Sequence, residues 1–223
     1  MFTGIIQAVG TLASLEPRGG DRRITINTGK LPLADVGTGD SIAVSGVCLT
    51  AIEMTGEGFR ADVSGETLGC TVIGDLAVNA AVNLETALTL QTPLGGHLVS
   101  GHVDGIGVVV SRAADSRSIR FTIEAPDALA RYIATKGSIC VDGVSLTVNH
   151  VDGAVFELNI VPHTLQETTL DEYRPGRRVN LEVDLVARYL ERLLPGDQAA
   201  QPGTSGGLTR ELLEASGFGG KVE

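Results

Sequence analysis

The chain runs to 223 residues, 43% apolar and 20% charged, which is enough for one large domain or two small ones and too apolar for a disordered chain. A net charge of -10 argues against a binder of nucleic-acid phosphates, whose affinity comes from Lys and Arg. With no Trp and only 4% aromatic residues, a base-stacking platform for single strands is also not expected.

Read from the start, Met1-Phe2-Thr3-Gly4 has no basic n-region, so no signal peptide is expected, and no run of about 18 apolar residues predicts a membrane span. Cytoplasmic placement follows as an expectation. Short apolar runs punctuated by Gly and Asp predict β-strands. Ile42, Val44, Val47 and Leu49 flank Gly46, which suggests a bend or bulge, and Met54-Thr55-Gly56-Glu57-Gly58 reads as a turn between strands.

After Gly95-Gly96 the chain begins again. Shifted by 97 residues it matches itself: Thr3-Gly4 meets Ser100-Gly101, and Arg23-Ile24-Thr25-Ile26 meets Arg120-Phe121-Thr122-Ile123. Ser41 to Thr50 meets Ser138 to Thr147, Glu66-Thr67-Leu68 meets His163-Thr164-Leu165, and Val82-Asn83-Leu84-Glu85 meets Val179-Asn180-Leu181-Glu182. A repeat of this length is a small domain, not a solenoid unit. Each copy is expected to be a small barrel or sandwich with one helix, in the second copy from Ala125-Pro126-Asp127 through Ile133.

Beyond the repeat, Leu185, Val186, Tyr189, Leu190, Leu193 and Leu194 make one helical stripe, with Asp184 as a candidate N-cap and Pro195-Gly196 as the stop. That stripe must cover its apolar side against the chain's own barrel or against the same helix of another subunit. The remainder to Glu223 reads as a tail, with a weak helix at Thr209–Glu214. The predicted division is 1–96, 97–183, a helix at 184–194 and a tail at 195–223. Cys48, Cys70 and Cys140 are an odd set at unrelated spacings, which fits free thiols, with Cys70 and Cys140 expected in cores. The four His lack metal-ligand spacing, so no metal site is expected.

Several motifs in order now carry a resemblance. Met1-Phe2-Thr3-Gly4-Ile5, Gly46-Val47-Cys48-Leu49-Thr50, Gly95-Gly96-His97-Leu98-Val99-Ser100-Gly101-His102 and Asp142-Gly143-Val144-Ser145-Leu146-Thr147 resemble riboflavin synthase of the α-chain type. The connector departs from the pattern at Pro93-Leu94, where a basic residue is common before the Gly pair. The resemblance implies an all-β fold of two six-stranded Greek-key barrels in tandem, with a C-terminal helix that joins a homotrimer. It implies a transferase without a cofactor. Two molecules of 6,7-dimethyl-8-ribityllumazine dismutate by four-carbon transfer, giving riboflavin and 5-amino-6-ribitylamino-uracil. One barrel of each of two subunits makes the productive site, and association with lumazine synthase is a further implied partner. A lumazine protein, with the same barrels and no turnover, is the binding-module alternative.

The resemblance places substrate contacts at Gly4, Ile5, Ile6, Cys48, Leu49, Thr50 and the run Asp62, Val63, Ser64, Gly65, Glu66, Thr67. It places others at Gly101, His102, Val103, Lys136, Ser145, Leu146, Thr147 and the run Asn159, Ile160, Val161, Pro162, His163, Thr164. Cys48, His102, Ser145, Lys136, Asp184 and Ser41 are the catalytic candidates. Two identical substrates need two similar pockets, and a dismutation needs them to differ. Accordingly Gly4 matches Gly101 and Thr50 matches Thr147, whereas Cys48 faces Ser145, Ile5 faces His102, Gly39 faces Lys136, Ala87 faces Asp184 and Glu66 faces His163. A thiol at Cys48 is the better nucleophile, adding to the acceptor ring or only lining the pocket. His102 suits acid–base work or a structural bond. His97, on the connector, reads as structural, and His150 as exposed. Lys136 reads as a turn lysine or a reach to a neighbour's ligand, Asp184 as a plain cap or an orienting group.

Overall fold

The computed structural model describes residues 1–196. The predicted helix at Thr209–Glu214 and nearly all of the predicted tail lie outside the described residues. Met1–Asp184, with both repeats, is one compact unit, and the chain from Leu185 on is another.

The first repeat folds as β1 (Ala8–Arg18), β2 (Asp21–Asn27), β3 (Ser41–Val44), β4 (Val47–Thr50), β5 (Glu53–Met54), β6 (Gly58–Val63), helix α1 (Gly65–Cys70) and β7 (Ala81–Thr86). The second folds as β8 (Gly105–Asp115), β9 (Ser118–Glu124), β10 (Ser138–Val141), β11 (Val144–Asp152), β12 (Val155–Ile160), helix α2 (Pro162–Glu167) and β13 (Arg178–Val183). The second closes into a six-stranded barrel in the order β10-β11-β12-β9-β8-β13. The first follows the same circuit, β4-β3-β7-β1-β2-β6-β5, as a curled sheet that does not close. Its difference lies in one place. β11 runs unbroken through a bulge between Val148 and His150, whereas its counterpart is cut at Ala51–Ile52 into β4 and β5. Ile52 N–H still donates to the Arg60 carbonyl at 2.9 Å, so the seam is narrow. Each sheet wraps its own core, of Leu12, Ile24, Phe59 and Leu84 in the first and Phe121, Phe156, Leu158 and Leu181 in the second.

Gly46 is neither bend nor bulge. Ser45 (φ 45°) and Gly46 (φ 79°) are the two central residues of the β3–β4 hairpin, and Asp142 (φ 44°) and Gly143 (φ 84°) those of β10–β11. Left-handed backbone at both positions marks the hairpin turn that matches strand twist. The two turns meet tip to tip: a Cβ on Gly46 would lie 2.7 Å from Gly143 N, and one on Gly143 would lie 2.8 Å from Gly46 N. Around this contact the repeats exchange bonds symmetrically. Buried Asn83 donates from Nδ2 to the Asp142 carbonyl (2.9 Å), and buried Asn180 donates to the Ser45 carbonyl (2.8 Å). Their Oδ1 atoms accept from Thr169 N–H and Val72 N–H, each at 2.8 Å. Phe2, fully buried, packs with Ala43, Val99 and Cys140, residues of both repeats.

One asymmetry at this axis titrates. Ser45 faces Asp142, whose carboxylate accepts from Asn180 N–H (2.7 Å) and from the Tyr173 hydroxyl. Burial pushes the Asp142 carboxyl up to about 6, although these bonds and Arg177 favour its charge. The raised value sets the sign. The contribution of this group to stability is full below the unfolded pKa near 3.9 and is lost as pH rises through 6. Two units correspond to about 3 kcal/mol. Asp142→Asn keeps an acceptor for Asn180, tolerates positive φ, and lets the Tyr173 hydroxyl turn to Thr169 Oγ1 at 3.3 Å. Urea unfolding should therefore show the variant gaining on wild type between pH 4 and 7; a pH-independent difference would exclude Asp142 as the titrating group.

The helix expected from Ala125 to Ile133 is a 3-10 turn, Asp127–Tyr132, with bonds from Leu129 N–H to Pro126 O and from Ile133 N–H to Ala130 O. Pro126 starts it, but only six residues precede the extended Ile133. The α-helices are instead α1, capped where Ser64 Oγ accepts from Thr67 N–H, and α2, with Pro162 in its first turn. Helix α3 (Leu185–Leu193) lies within the predicted 184–194 segment. Val186, Tyr189, Leu190 and Leu193 of its stripe are exposed by more than half. Among the described residues no helix is long and apolar enough to cross a membrane.

Candidate active site

Two buried glutamates place the site. On β7, Glu85 accepts from Thr3 N–H (2.7 Å), Thr3 Oγ1 (2.6 Å) and Gly4 N–H (2.9 Å). On β13, Glu182 accepts from Ser100 N–H (2.6 Å), Ser100 Oγ (2.7 Å) and Gly101 N–H (2.9 Å). Burial raises the Glu85 carboxyl, against the pull of its three donors. Each carboxylate thus holds the segment that precedes its own repeat's sheet, and each segment is delivered to the other repeat. Cys48 N–H donates to the Gly101 carbonyl (2.9 Å), and Ser145 N–H to the Gly4 carbonyl (2.7 Å). Both glycines have positive φ, and a Cβ on either would stand 2.6 Å from the Cβ of Cys48 or Ser145. Only glycine allows this approach.

The first half-site is a cavity of about 260 Å³ lined by Val47, Cys48, Glu66, Thr67, Cys70, Thr71, Gly101, His102 and Val103. Cys48 is half-buried at the start of β4, and Glu66, Thr67 and Cys70 come from α1. His102 enters from the second repeat, oriented by the bond from its N–H to Ser100 Oγ (3.2 Å). The second half-site is built the same way with other groups. Gly4 and exposed Ile5 stand where Gly101 and His102 stand in the first, and Ser145 replaces Cys48. Here His97 joins: its Nδ1 lies 2.6 Å from Ser145 Oγ, and its backbone N–H donates to the Thr3 carbonyl at 3.1 Å. Burial lowers the His97 pKa, and the charge of Asp184 opposes that shift.

The two half-sites share one backbone arrangement with crossed loops. The lumazine binding domain family matches residues 3–87 and 100–184. Riboflavin synthase of Photobacterium phosphoreum is 46% identical over 218 residues, covering 98% of this chain and 99% of that protein. The chain belongs to the riboflavin synthase family. Riboflavin synthase of Bacillus subtilis is 38% identical over 218 residues, covering 98% of this chain and all of that protein. The fold matches the solved structure of LumP complexed with riboflavin, with TM-score 0.76 and 24% identity over 82% of this chain and 99% of that one.

Cys48, Glu66, Thr67, Gly101, His102 and Val103 share the first cavity, and Gly4 and Ser145 meet in the second half-site. Ile6 packs on the second core, and Ile160 and Val63 lie in the cores themselves. Leu49 is likewise buried in the first core, while Leu146 packs half-buried on the second. Asp62 is committed elsewhere, to Arg23 at 2.7 Å, and that bond lowers its pKa. Thr50, Thr147, Asn159, Val161 and His163 are exposed around the two motifs, Ser64 and Gly65 are exposed at the start of α1, and Pro162 and Thr164 are half-buried on α2. Ser41 lines a different cavity, of about 470 Å³, with Asp35, Asp40, Thr86 and Thr89. Lys136 is exposed at φ 68°, and His150 is exposed. Cys140 is buried as expected, whereas Cys70 is exposed at the end of α1 and lines the first cavity. Val47, Cys70 and Thr71 line the first cavity without having been placed there by the sequence, and His97, read as structural, bonds Ser145 Oγ. The neighbours of Cys48 and Thr67 in the chain were the available signal for the first three.

Proposed function

We propose that this chain dismutates two molecules of 6,7-dimethyl-8-ribityllumazine by transfer of a four-carbon unit, giving riboflavin and 5-amino-6-ribitylamino-uracil. The observation that carries this reading is a pair of half-sites with the same backbone cradle and different reactive groups, Cys48 with His102 and Ser145 with His97. Identical substrates require the common cradle, and their unequal roles require the difference. Relatives named riboflavin synthase, similar along nearly the whole chain, support it. Cys48 serves as the nucleophile toward one ring, His102 as the acid–base group beside it, and exposed Thr50 and Thr147 with nearby backbone groups read the pyrimidinedione edges. Orientation supplies most of the acceleration, because the lumazine ring already acidifies its 7-methyl group.

The enzyme is a transferase of the cytoplasm. It works as a homotrimer in which the exposed stripe of α3 joins subunits, and the first barrel of one subunit faces the second barrel of its neighbour. Ser41, Lys136 and Asp184 act at that junction, and the barrels divide near residue 96. Purified protein given the lumazine alone, with neither metal nor nucleotide, should form one riboflavin per two lumazines, read by absorbance and fluorescence. Tight binding with no riboflavin formed would make the chain a binding protein and end this reading.

A further inference from the structure

The structure assigns a proton relay to the second half-site: Ser145 takes the proton from the methyl group of a bound lumazine and passes its own hydroxyl proton to His97. This rests on the reaction proposed above and names the group that performs one of its steps. His97 Nδ1 and Ser145 Oγ are 2.6 Å apart, a short bond between half-buried groups. Both are clamped. Ser145 N–H is tied to the Gly4 carbonyl, His97 N–H to the Thr3 carbonyl, and a Cβ on Gly96 would lie 2.9 Å from Ser145 Oγ.

The ring of His97 is committed to one partner. Here Nε2 is buried with no hydrogen-bond partner, and the one bond of the ring goes to the serine. Burial lowers the imidazole pKa, which favours the neutral ring that can accept, and the charge of Asp184 acts in the opposite sense and steadies the ring once protonated. In the first repeat Cys48 stands in place of Ser145.

The step balances. The methyl C–H bond breaks and its electron pair stays on the conjugated ring. The proton goes to Ser145 Oγ as the serine proton moves to His97 Nδ1, leaving an anionic ring, a neutral serine and an imidazolium. Reversal returns the proton later in the cycle. His97 therefore acts as a positioning and relay residue through Ser145, which is the group that touches substrate.

Hydrogen–deuterium exchange of the lumazine 7-methyl group in D2O, followed by NMR on the full chain, isolates this step from the rest of the turnover. Ser145→Ala and His97→Gln should each slow the protein-dependent exchange about 10²-fold, the usual worth of general acid–base catalysis, with lumazine affinity within a few-fold. The double variant should be no slower than either single one, and His97→Gln should lose the acid limb of the exchange–pH profile. Ser145→Ala removes one hydroxyl and keeps the fold, so it decides the matter if His97→Gln folds poorly. Wild-type exchange in Ser145→Ala, or an unchanged pH profile in a well-bound His97→Gln, would overturn the relay. If wild-type protein makes riboflavin while both variants exchange normally, only the relay falls. If wild-type protein makes none, the functional reading falls.

Discussion

Glu182→Ala is expected to cost about 3 kcal/mol or more and to abolish most activity, because it removes the shared acceptor of three donors at Ser100 and Gly101. Each buried donor left unpaired costs about 1–3 kcal/mol, and the three are coupled, so the sum is not reached. The second consequence follows from where those donors lead. Gly101 accepts from Cys48 N–H, and His102 follows it into the first cavity, so a carboxylate on β13 governs a half-site in the other repeat. Glu85→Ala should act in the crossed sense, loosening Gly4 and with it Ser145. Urea unfolding gives the stability loss. Reactivity of Cys48 toward a thiol reagent, raised in Glu182→Ala and unchanged in Glu85→Ala, separates the crossed arrangement from general loosening.

Cys48→Ser is expected to lower turnover at saturating lumazine by about 10²-fold with little change in affinity. A thiol ionises far more readily than an alcohol, and a nucleophile that acts only in the transition state changes turnover and not binding. The site tolerates the exchange: the second repeat carries serine at Ser145, with the same backbone bond to a glycine carbonyl. Wild-type turnover in Cys48→Ser would make the thiol a lining group and give the nucleophilic role to water or a ribityl hydroxyl.

The duplication, the β character of both copies and the partition of reactive groups between them were legible because the offset never changes from Thr3 to Glu182. What escaped was of two kinds. Gly46 read as a bend or bulge because strand periodicity does not reveal φ. Asp142-Gly143 at the matching place is the stronger hairpin signal, and weighing the copies together would have moved the reading to a turn. The role of His97 was hidden because its partner, Ser145, is 48 residues away, and the two come together through their bonds to the Thr3 and Gly4 carbonyls. Cys70 escaped because a free cysteine is most often buried, and the end of α1 leaves this one open. The broken strand at Ala51–Ile52 has no counterpart in composition, since Val148 and Asn149 continue the same strand in the second copy.

The crossing of the loops also fixes how the molecule can be recombined. A chimera joined between the two repeats, taking residues 1–96 from one relative and the rest from another, does not inherit an intact first pocket, because Gly101, His102 and Val103 arrive with the foreign half. The second half-site is split in the same way, with Gly4 from one parent and Ser145 from the other. Modules that preserve each pocket exchange the short leading segments as well as the barrels, because the Gly4 carbonyl is bonded to Ser145 of the β10–β11 hairpin. The unit of inheritance for the chemistry is the crossed pair, not the repeat.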